Sequence, residues 1–267
     1  MNNYIVIASL SSGEFGQVLH VQNRFTNRFL AVKVERREIG LLEYEAKIYN
    51  YLAGIKNVPS IRSYKTDQTH NYLFMDLMDY NLSKWRLINR ERCADILDYD
   101  YNILANNIIC DLINVLKEIH RRGIIHRDIK PENICFQDSI TKLIDFGLAK
   151  MVKTDDNSGQ LSSIIGTPNY ISLSVATLNQ PTQRDDLESL CYTYLYLVLD
   201  DTRFRDYCNN QDNIEKKHID YISRFIDDTT VLDKVTRHLD ICRRNQSIDR
   251  YERLLELYGM GSDHINL

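Results

Sequence analysis

The sequence predicts an α+β protein with two lobes: a small antiparallel β-sheet lobe with one helix, and a larger, mainly helical lobe. Short β-rich runs separated by turn residues occupy the first part of the chain. Apolar residues at a helical period recur through the rest. We place the lobes at residues 1–77 and 78–267 of one domain, with a ligand cleft expected between them.

The amino-terminal lobe is expected to contain four strands and one helix. The predicted strands are 4–7, 17–21, 29–34 and 71–77. A turn through residues 11–16 joins the first two strands, and residues 78–81 are read as a connector. The helix is predicted over 42–52, where Leu42, Ala46, Tyr49 and Leu52 have helical spacing.

The carboxy-terminal lobe is expected to be built from helices. One carries apolar residues from Ile109 to Ile119 and is ended by Gly123. Another begins near Asp185 and continues to Val198. Further helices are predicted over 214–225, 230–242 and 250–258.

Composition excludes several classes of function. The 267 residues are 43% hydrophobic and 26% charged, as in ordinary globular proteins, and the net charge of -4 disfavours nucleic acid as the primary ligand. The longest apolar stretch is too short to cross a bilayer. No secretion signal is expected, because the first residues read as a strand instead of a basic and then apolar segment. Six scattered cysteines indicate reduced thiols. An intracellular monomer without membrane attachment is expected.

Two short segments carry the predicted chemistry: His-Arg-Asp-Ile-Lys-Pro-Glu-Asn at 126–133 and Asp-Phe-Gly at 145–147. Asp128 can accept the proton of an attacking hydroxyl, while Asn133 and Asp145 can hold Mg²⁺. Alone, the first triplet is most often an exposed turn and the second a strand end. In this order, with a glycine-rich turn and a Val-Ala-Ile-Lys-like segment upstream, they match the protein kinase signature set.

An ATP site is expected upstream of these segments. Gly13 and Gly16 would let backbone N–H groups approach phosphate oxygens. Lys33 suits the α- and β-phosphates, and Glu45 is preferred over Glu43 as its ion-pair partner because Glu45 lies on the inward helix face. The turn and its flanks supply the expected contacts: Leu10, Ser11, Ser12, Gly13, Glu14, Phe15, Gly16, Gln17 and Val18.

The remaining candidates surround the adenine and the acceptor hydroxyl. Val18 and Ala31 are expected to cover one face of the adenine and Cys135 the other, so Cys135 is interpreted as a packing residue. Lys130 can reach the transferred phosphate, at a spacing typical of serine/threonine kinases. Thr167 can bridge Asp128 and Lys130.

The chain resembles the casein kinase 1 family, with the vaccinia-related kinases as a related alternative. The matching segments are 45–49, 58–61, 144–150 and 184–190, and the Ala-Pro-Glu of most kinases is replaced by residues 170–173. The resemblance implies that Asp186 is a buried anchor of the catalytic loop. It also implies that Met75 precedes a hinge at 76–78, so that Met75, Asp76 and Met78 contact the nucleotide.

Some residues depart from this family. Ser11 replaces a glycine, and Gln183 stands where the family usually has an arginine beside Arg184. Arg184, Lys216 and Lys217 are left as candidates for binding phosphate or acidic groups of substrates.

The expected function is transfer of the γ-phosphate of Mg-ATP to serine or threonine hydroxyls of protein substrates. An inactive kinase-fold scaffold is the alternative, although Lys33, Asp128, Asn133 and Asp145 are all present. A small-molecule phosphotransferase is disfavoured. No activating phosphorylation is expected. The segment between Gly147 and Gly166 offers four hydroxyls: Thr154, Ser158, Ser162 and Ser163. Asp155 and Asp156 already supply negative charge beside the first of them.

Overall fold

The computed structural model describes residues 3–13, 16–95, 101–152, 159–244 and 249–259. The chain divides into two compact units. The first consists of Met1–Asn81 and Cys135–Ala149, and the second of Leu82–Ile134 and Lys150–Leu267.

Most of the described strands lie in the first unit and most of the described helices in the second, as predicted in outline. The strands are β1 (Tyr4–Gly13), β2 (Gly16–Asn23), β3 (Phe29–Arg36), β4 (Ile61–Thr66), β5 (His70–Asp76), β6 (Tyr80–Asn81), β7 (Ile124–Ile125), β8 (Ile134–Gln137), β9 (Ile140–Leu143) and β10 (Lys150–Met151). The helices are α1 (Leu41–Tyr51), α2 (Leu82–Asp95), α3 (Tyr101–Arg121), α4 (Leu173–Ala176), α5 (Gln183–Val198), α6 (Asp201–Asn209), α7 (Ile219–Ile222), α8 (Thr229–Arg243) and α9 (Arg250–Tyr258).

The first unit is an antiparallel sheet with one helix. Its five strands lie in the order β1-β2-β3-β5-β4. One face of this sheet is closed by a cluster of buried side chains: Leu19, Val21, Leu30, Val32, Val34 and Phe74. Helix α1 packs against β4, β5 and a 3₁₀ helix at Phe146–Leu148. A second small sheet has the order β6-β8-β9, which brings residues 135–149 into this unit.

The second unit is mainly helical, and α5 lies at its centre. Twelve of the sixteen residues of α5 are buried, and the helix contacts α3 and α8. Its first turn is capped by Asp185, whose carboxylate accepts from the Thr182 backbone N–H and hydroxyl at 2.6 and 2.8 Å. A carboxylate at this end of a helix is also favoured by the helix dipole. None of the helices in the described ranges is both long and apolar enough to cross a membrane.

The structure confirms the α+β prediction and corrects parts of it. Residues 214–225 do not form one helix: two 3₁₀ turns, Glu215–Lys217 and Ser223–Phe225, flank α7. The break falls at His218, whose ψ of 140° is extended. Residues 78–81, interpreted as a connector, contain the short strand β6. Strand β4 and helices α2, α4 and α6 are among the described elements that the sequence did not predict.

Candidate active site

An ion pair joins β3 to α1 in the first unit. The Lys33 Nζ lies 2.7 and 3.0 Å from the two carboxylate oxygens of Glu45 and 2.6 Å from Asp145 Oδ1. Glu45 is 3% exposed. By contrast, Glu43 is exposed and pairs with Lys47 along the surface of α1. The structure therefore pairs Lys33 with Glu45, as the helix face predicts, and adds Asp145 as a second partner.

The electrostatics of this group keep Lys33 charged. Burial alone would lower the pKa of Lys33, but the carboxylates of Glu45 and Asp145 outweigh it and raise the pKa above the ordinary lysine value. An ammonium held between two carboxylates has a fixed position, because each hydrogen bond restricts its rotamers.

Asp145 is positioned by its own backbone and by α1. It has φ 66° and ψ 74°, a left-handed conformation that is uncommon outside glycine. Its backbone N–H donates to the Tyr49 hydroxyl at 3.0 Å, and the Tyr49 ring meets Phe146 edge-on at 5.1 Å. Sequence reasoning treated Tyr49 only as a helix-core residue. Its spacing of four residues after Glu45 was the available signal, since it puts both on one helix face.

The predicted phosphate turn is the hairpin between β1 and β2. Gly13 pairs with Gly16, while Glu14 and Phe15 lie outside the described residues. Gly16 has φ 149°, and a Cβ there would stand 2.2 Å from the Val34 carbonyl oxygen. The close approach of β2 to β3 therefore requires glycine at this position, whether or not a phosphate binds.

The other predicted nucleotide residues also lie in the first unit. In the hairpin, Leu10, Ser11, Ser12 and Gln17 are exposed and Val18 is half-buried. Ala31 and Met75 are buried and face each other across β3 and β5. Met78 is half-buried, and Asp76 accepts two hydrogen bonds from Arg62 at 2.7 and 2.8 Å. Cys135 is buried, which raises the pKa of its thiol to about 12 and makes it unreactive.

The second unit holds a compact group around Asp128. One carboxylate oxygen, Oδ1, accepts from the Thr167 hydroxyl at 2.7 Å and the Thr167 N–H at 3.1 Å. The other, Oδ2, lies 2.8 Å from Lys130 Nζ and 3.1 Å from Asn133 Nδ2. Lys130 Nζ also donates to the Thr167 hydroxyl at 2.9 Å. Thr167 thus bridges Asp128 and Lys130, the arrangement predicted for it.

The loop that carries Asp128 is anchored by a buried carboxylate. Asp186 accepts the backbone N–H groups of His126 and Arg127 at 2.7 and 2.8 Å, and the His120 ring at 2.8 Å. These donors outweigh the effect of burial and lower the pKa of Asp186. Arg127 has φ 69°, so the loop is held in an uncommon conformation. Asp186 takes the anchoring position that the family resemblance implied.

The prediction for Lys216 and Lys217 is wrong. The two residues are 2% and 0% exposed, and their ammonium groups donate inward to Asn169. They are therefore inaccessible to a substrate. Arg184 is half-buried, and the neighbouring Gln183 amide donates to the His120 carbonyl at 3.1 Å. In the segment after Gly147, Ser162 and Ser163 are exposed; Thr154, Asp155, Asp156 and Ser158 lie outside the described residues.

Sequence comparisons with known proteins agree with the family that the motifs indicate. Residues 4–254 match the sequence model of the protein kinase domain. The chain is also similar to casein kinase I homolog 3 of Schizosaccharomyces pombe, with 28% identity over 213 residues, which are 73% of this chain and 46% of that protein. The chain therefore spans about half the length of this relative. The match confirms the resemblance found in the motifs.

Proposed function

Because the chain belongs to the protein kinase family, we propose that it is a casein kinase 1-like serine/threonine kinase. It would transfer the γ-phosphate of Mg-ATP to hydroxyls of protein substrates. The observation that carries this proposal is the group formed by Asp128, Lys130 and Thr167, in which the carboxylate, ammonium and hydroxyl are all within 2.9 Å of one another.

This group can perform the acceptor half of the reaction. Asp128 is the base: its carboxylate receives the proton as the substrate hydroxyl attacks. The Thr167 hydroxyl and N–H fix the orientation of that carboxylate. Lys130 adds a positive charge beside it, which suits a phosphoryl group carrying negative charge in the transition state.

The residues present fit a nucleotide with Mg²⁺. In the first unit, Asp145 offers a carboxylate that is 41% exposed, and Lys33 offers a fixed ammonium for phosphate oxygens. In the second unit, the Asn133 amide nitrogen is used by Asp128, so its amide oxygen is the atom suited to a cation. Oxygen donors are the ligands that Mg²⁺ prefers. When bound, Mg²⁺ would neutralise charge on the phosphates.

The serine/threonine preference rests on Lys130 and on the relative. Lys130 is bonded to both Asp128 and Thr167, and these contacts support the assignment that its spacing suggests. The inactive-scaffold alternative is not favoured, since Lys33, Asp128, Asn133 and Asp145 are all present and engaged in the contacts above.

A transfer assay with two acceptors tests the proposal. Purified protein with Mg-ATP should phosphorylate casein on serine or threonine and leave a glutamate–tyrosine polymer unmodified. Addition of EDTA should abolish transfer, because the phosphates lose their cation. Transfer to the tyrosine polymer alone would contradict the serine/threonine assignment. No transfer to either acceptor would favour the scaffold.

We also propose that the chain works inside the cell as a monomer on protein substrates, with no membrane attachment and without nucleic acid as its primary ligand. The net charge of -4 supports the last point, since it provides no broad basic field. Light scattering on a size-exclusion column should give the mass of one chain. A dimer mass at micromolar concentration would contradict the monomer.

A further inference from the structure

Two adjacent lysines of the second unit are buried and point at the same residue. Lys217 is 0% exposed, its Nζ donates to the Asn169 carbonyl at 2.7 Å, and it lies 3.9 Å from the centre of the Tyr192 ring. Lys216 is 2% exposed and donates to the Asn169 side-chain oxygen at 2.8 Å and to the Asn210 carbonyl at 3.3 Å. Asn169 is therefore held by one ammonium on its backbone and another on its side chain.

An ion pair between the half-buried Arg243 and the buried Glu188 continues this network. The Arg243 guanidinium donates to the Lys217 carbonyl at 2.8 Å and to Glu188 Oε1 at 2.7 Å. Glu188 in turn accepts the backbone N–H of Leu173 at 2.9 Å and the Tyr192 hydroxyl at 2.7 Å. The network therefore forms hydrogen bonds to the chain at two residues, Asn169 and Leu173.

The segment between these points carries the residue that touches Asp128. Thr167 lies two residues before Asn169, and its carbonyl accepts from the N–H groups of Tyr170 and Ile171 at 2.8 and 3.1 Å. A shift of Asn169 would therefore move Thr167. The Thr167 hydroxyl makes a 2.7 Å bond to Asp128, which tolerates little displacement.

A filling role in the core does not account for these lysines. An apolar side chain would fill the same volume without the cost of removing an ammonium from water. Burial, together with the nearby charges of Lys216 and Arg243, lowers the pKa of Lys217 well below the ordinary value. A buried lysine with this cost indicates that its hydrogen bond to Asn169 has a functional role.

We propose that Lys217, supported by Lys216 and the Glu188–Arg243 pair, is a positioning residue that holds segment 167–173 so that Thr167 stays on Asp128. The proposal rests on the proposed kinase function for its catalytic consequence. The positioning itself is a property of the second unit.

Lys217→Met tests this with Lys234→Met as the matched control. Methionine keeps the length and apolar stem of lysine but cannot donate to Asn169. Lys234 is also a lysine over tyrosine rings, 5.3 Å from Tyr258, and it donates to Asn106 at 3.1 Å, away from the segment. The assay is run well below the melting temperatures of the wild type and of Lys217→Met. Under these conditions kcat/KM for casein should fall about tenfold or more in Lys217→Met. The affinity for ATP should stay within about twofold, and Lys234→Met should match the wild type.

Hydrogen exchange provides a readout that does not depend on activity. In Lys217→Met, the amides of Tyr170, Ile171 and Leu173 should exchange at least about tenfold faster, while the amides of α3 and α5 keep their protection. If the wild type transfers no phosphate, the kinase proposal is refuted. Hydrogen exchange then still tests whether Lys217 positions segment 167–173. Unchanged exchange at all three amides would overturn the positioning proposal.

Asn169→Ala keeps the proposal testable if Lys217→Met does not fold. Alanine removes the side-chain oxygen that receives Lys216 and leaves the buried lysines in place. It should show the same local increase in exchange at a smaller amplitude, with a smaller loss of kcat/KM for casein. A uniform rise in exchange throughout the second unit in either variant would contradict a local positioning role.

Discussion

At the scale of single residues, two glutamates on one helix have different environments. Glu45 is buried and paired with Lys33, whereas Glu43 is exposed and paired with Lys47. A buried, hydrogen-bonded charge pair fixes its members, while an exposed pair contributes little to stability. Of the two glutamates, only Glu45 can therefore hold Lys33 in place.

Substitutions of these residues should reduce the rate of phosphate transfer to different extents. Lys33→Met should lower kcat/KM for phosphate transfer by roughly 10²-fold or more, since the phosphates lose a fixed charge. Glu45→Gln should show a smaller defect of the same kind, and Glu43→Gln none. The measurement is steady-state transfer to casein at varied ATP. Equal activity of Lys33→Met and the wild type would show that another group binds the phosphates.

Sequence motifs predicted the residues whose chemistry is fixed by local spacing. Asp128 and Lys130 are two residues apart in one loop, and Thr167 reaches both. The sequence did not predict the burial of Lys216 and Lys217, because lysine is almost never fully buried. Their shared partner, Asn169, is also distant in sequence. Tyr49 was not predicted as a partner of Asp145 because these two residues are also far apart in sequence.

At the scale of elements, helix α8 carries two arginines with contrasting surroundings. Arg243 pairs with Glu188, whose side chain is 5% exposed, and with the Lys217 carbonyl. Arg237 is 62% exposed and lies 3.6 Å from Asp233 on the same helix face. The two residues provide a matched pair for stability measurements.

Arg243→Met should lower the free energy of unfolding by about 3 kcal/mol, because Glu188 is left as a buried carboxylate without its cation. Arg237→Met should change it by less than about 0.5 kcal/mol. Urea denaturation followed by circular dichroism measures both. If the two variants lost equal stability, the Glu188–Arg243 pair would have no special role in the unit.

Strong periodic patterns predicted elements well, and weak ones did not. Helix α9 was predicted with its observed bounds, and α5 was placed by its apolar face. Helix α2 was missed because its charged and polar residues outnumber its apolar ones. The predicted helix over 214–225 is broken because Lys216 and Lys217 turn inward, and the chain then bends at His218.

At the scale of the whole molecule, the α+β class followed from the order of strand-like and helical patterns. The placement of residues 135–149 in the first unit depends on pairing between β6 and β8, which are far apart in sequence. Such pairings depend on tertiary packing, and periodicity along the chain does not show them.

The second unit should lose stability in mildly acidic solution. His238 is fully buried, its ring bonds the Tyr258 hydroxyl of α9 and the Leu187 carbonyl of α5, and burial lowers its pKa to about 4. Below the unfolded value of about 6.5, the unfolded chain binds a proton that the folded chain excludes. The contribution of His238 to the free energy of unfolding is therefore fully present above about pH 6.5. It falls by up to about 3 kcal/mol as the pH approaches 4.

Denaturation in urea at several pH values between 4 and 7 measures this effect. His238→Gln removes the titrating group, so its stability should vary less over this interval than that of the wild type. His218→Gln, at an exposed position, should follow the wild type. An identical pH dependence in the wild type and His238→Gln would rule out His238 as the cause.

The central claim, that this chain catalyses phosphate transfer through Asp128 without prior phosphorylation, is tested by one comparison. Wild-type protein and Asp128→Asn are produced in bacteria, treated with phosphatase and checked by mass spectrometry. Initial rates of transfer from Mg-ATP to casein are then measured. The wild type should react without a lag, and Asp128→Asn should be slower by roughly 10²–10⁴-fold with nearly unchanged ATP affinity. Equal rates would contradict the role of Asp128. A lag that ends as any of four hydroxyls becomes phosphorylated would contradict independence from activation: Thr154, Ser158, Ser162 or Ser163.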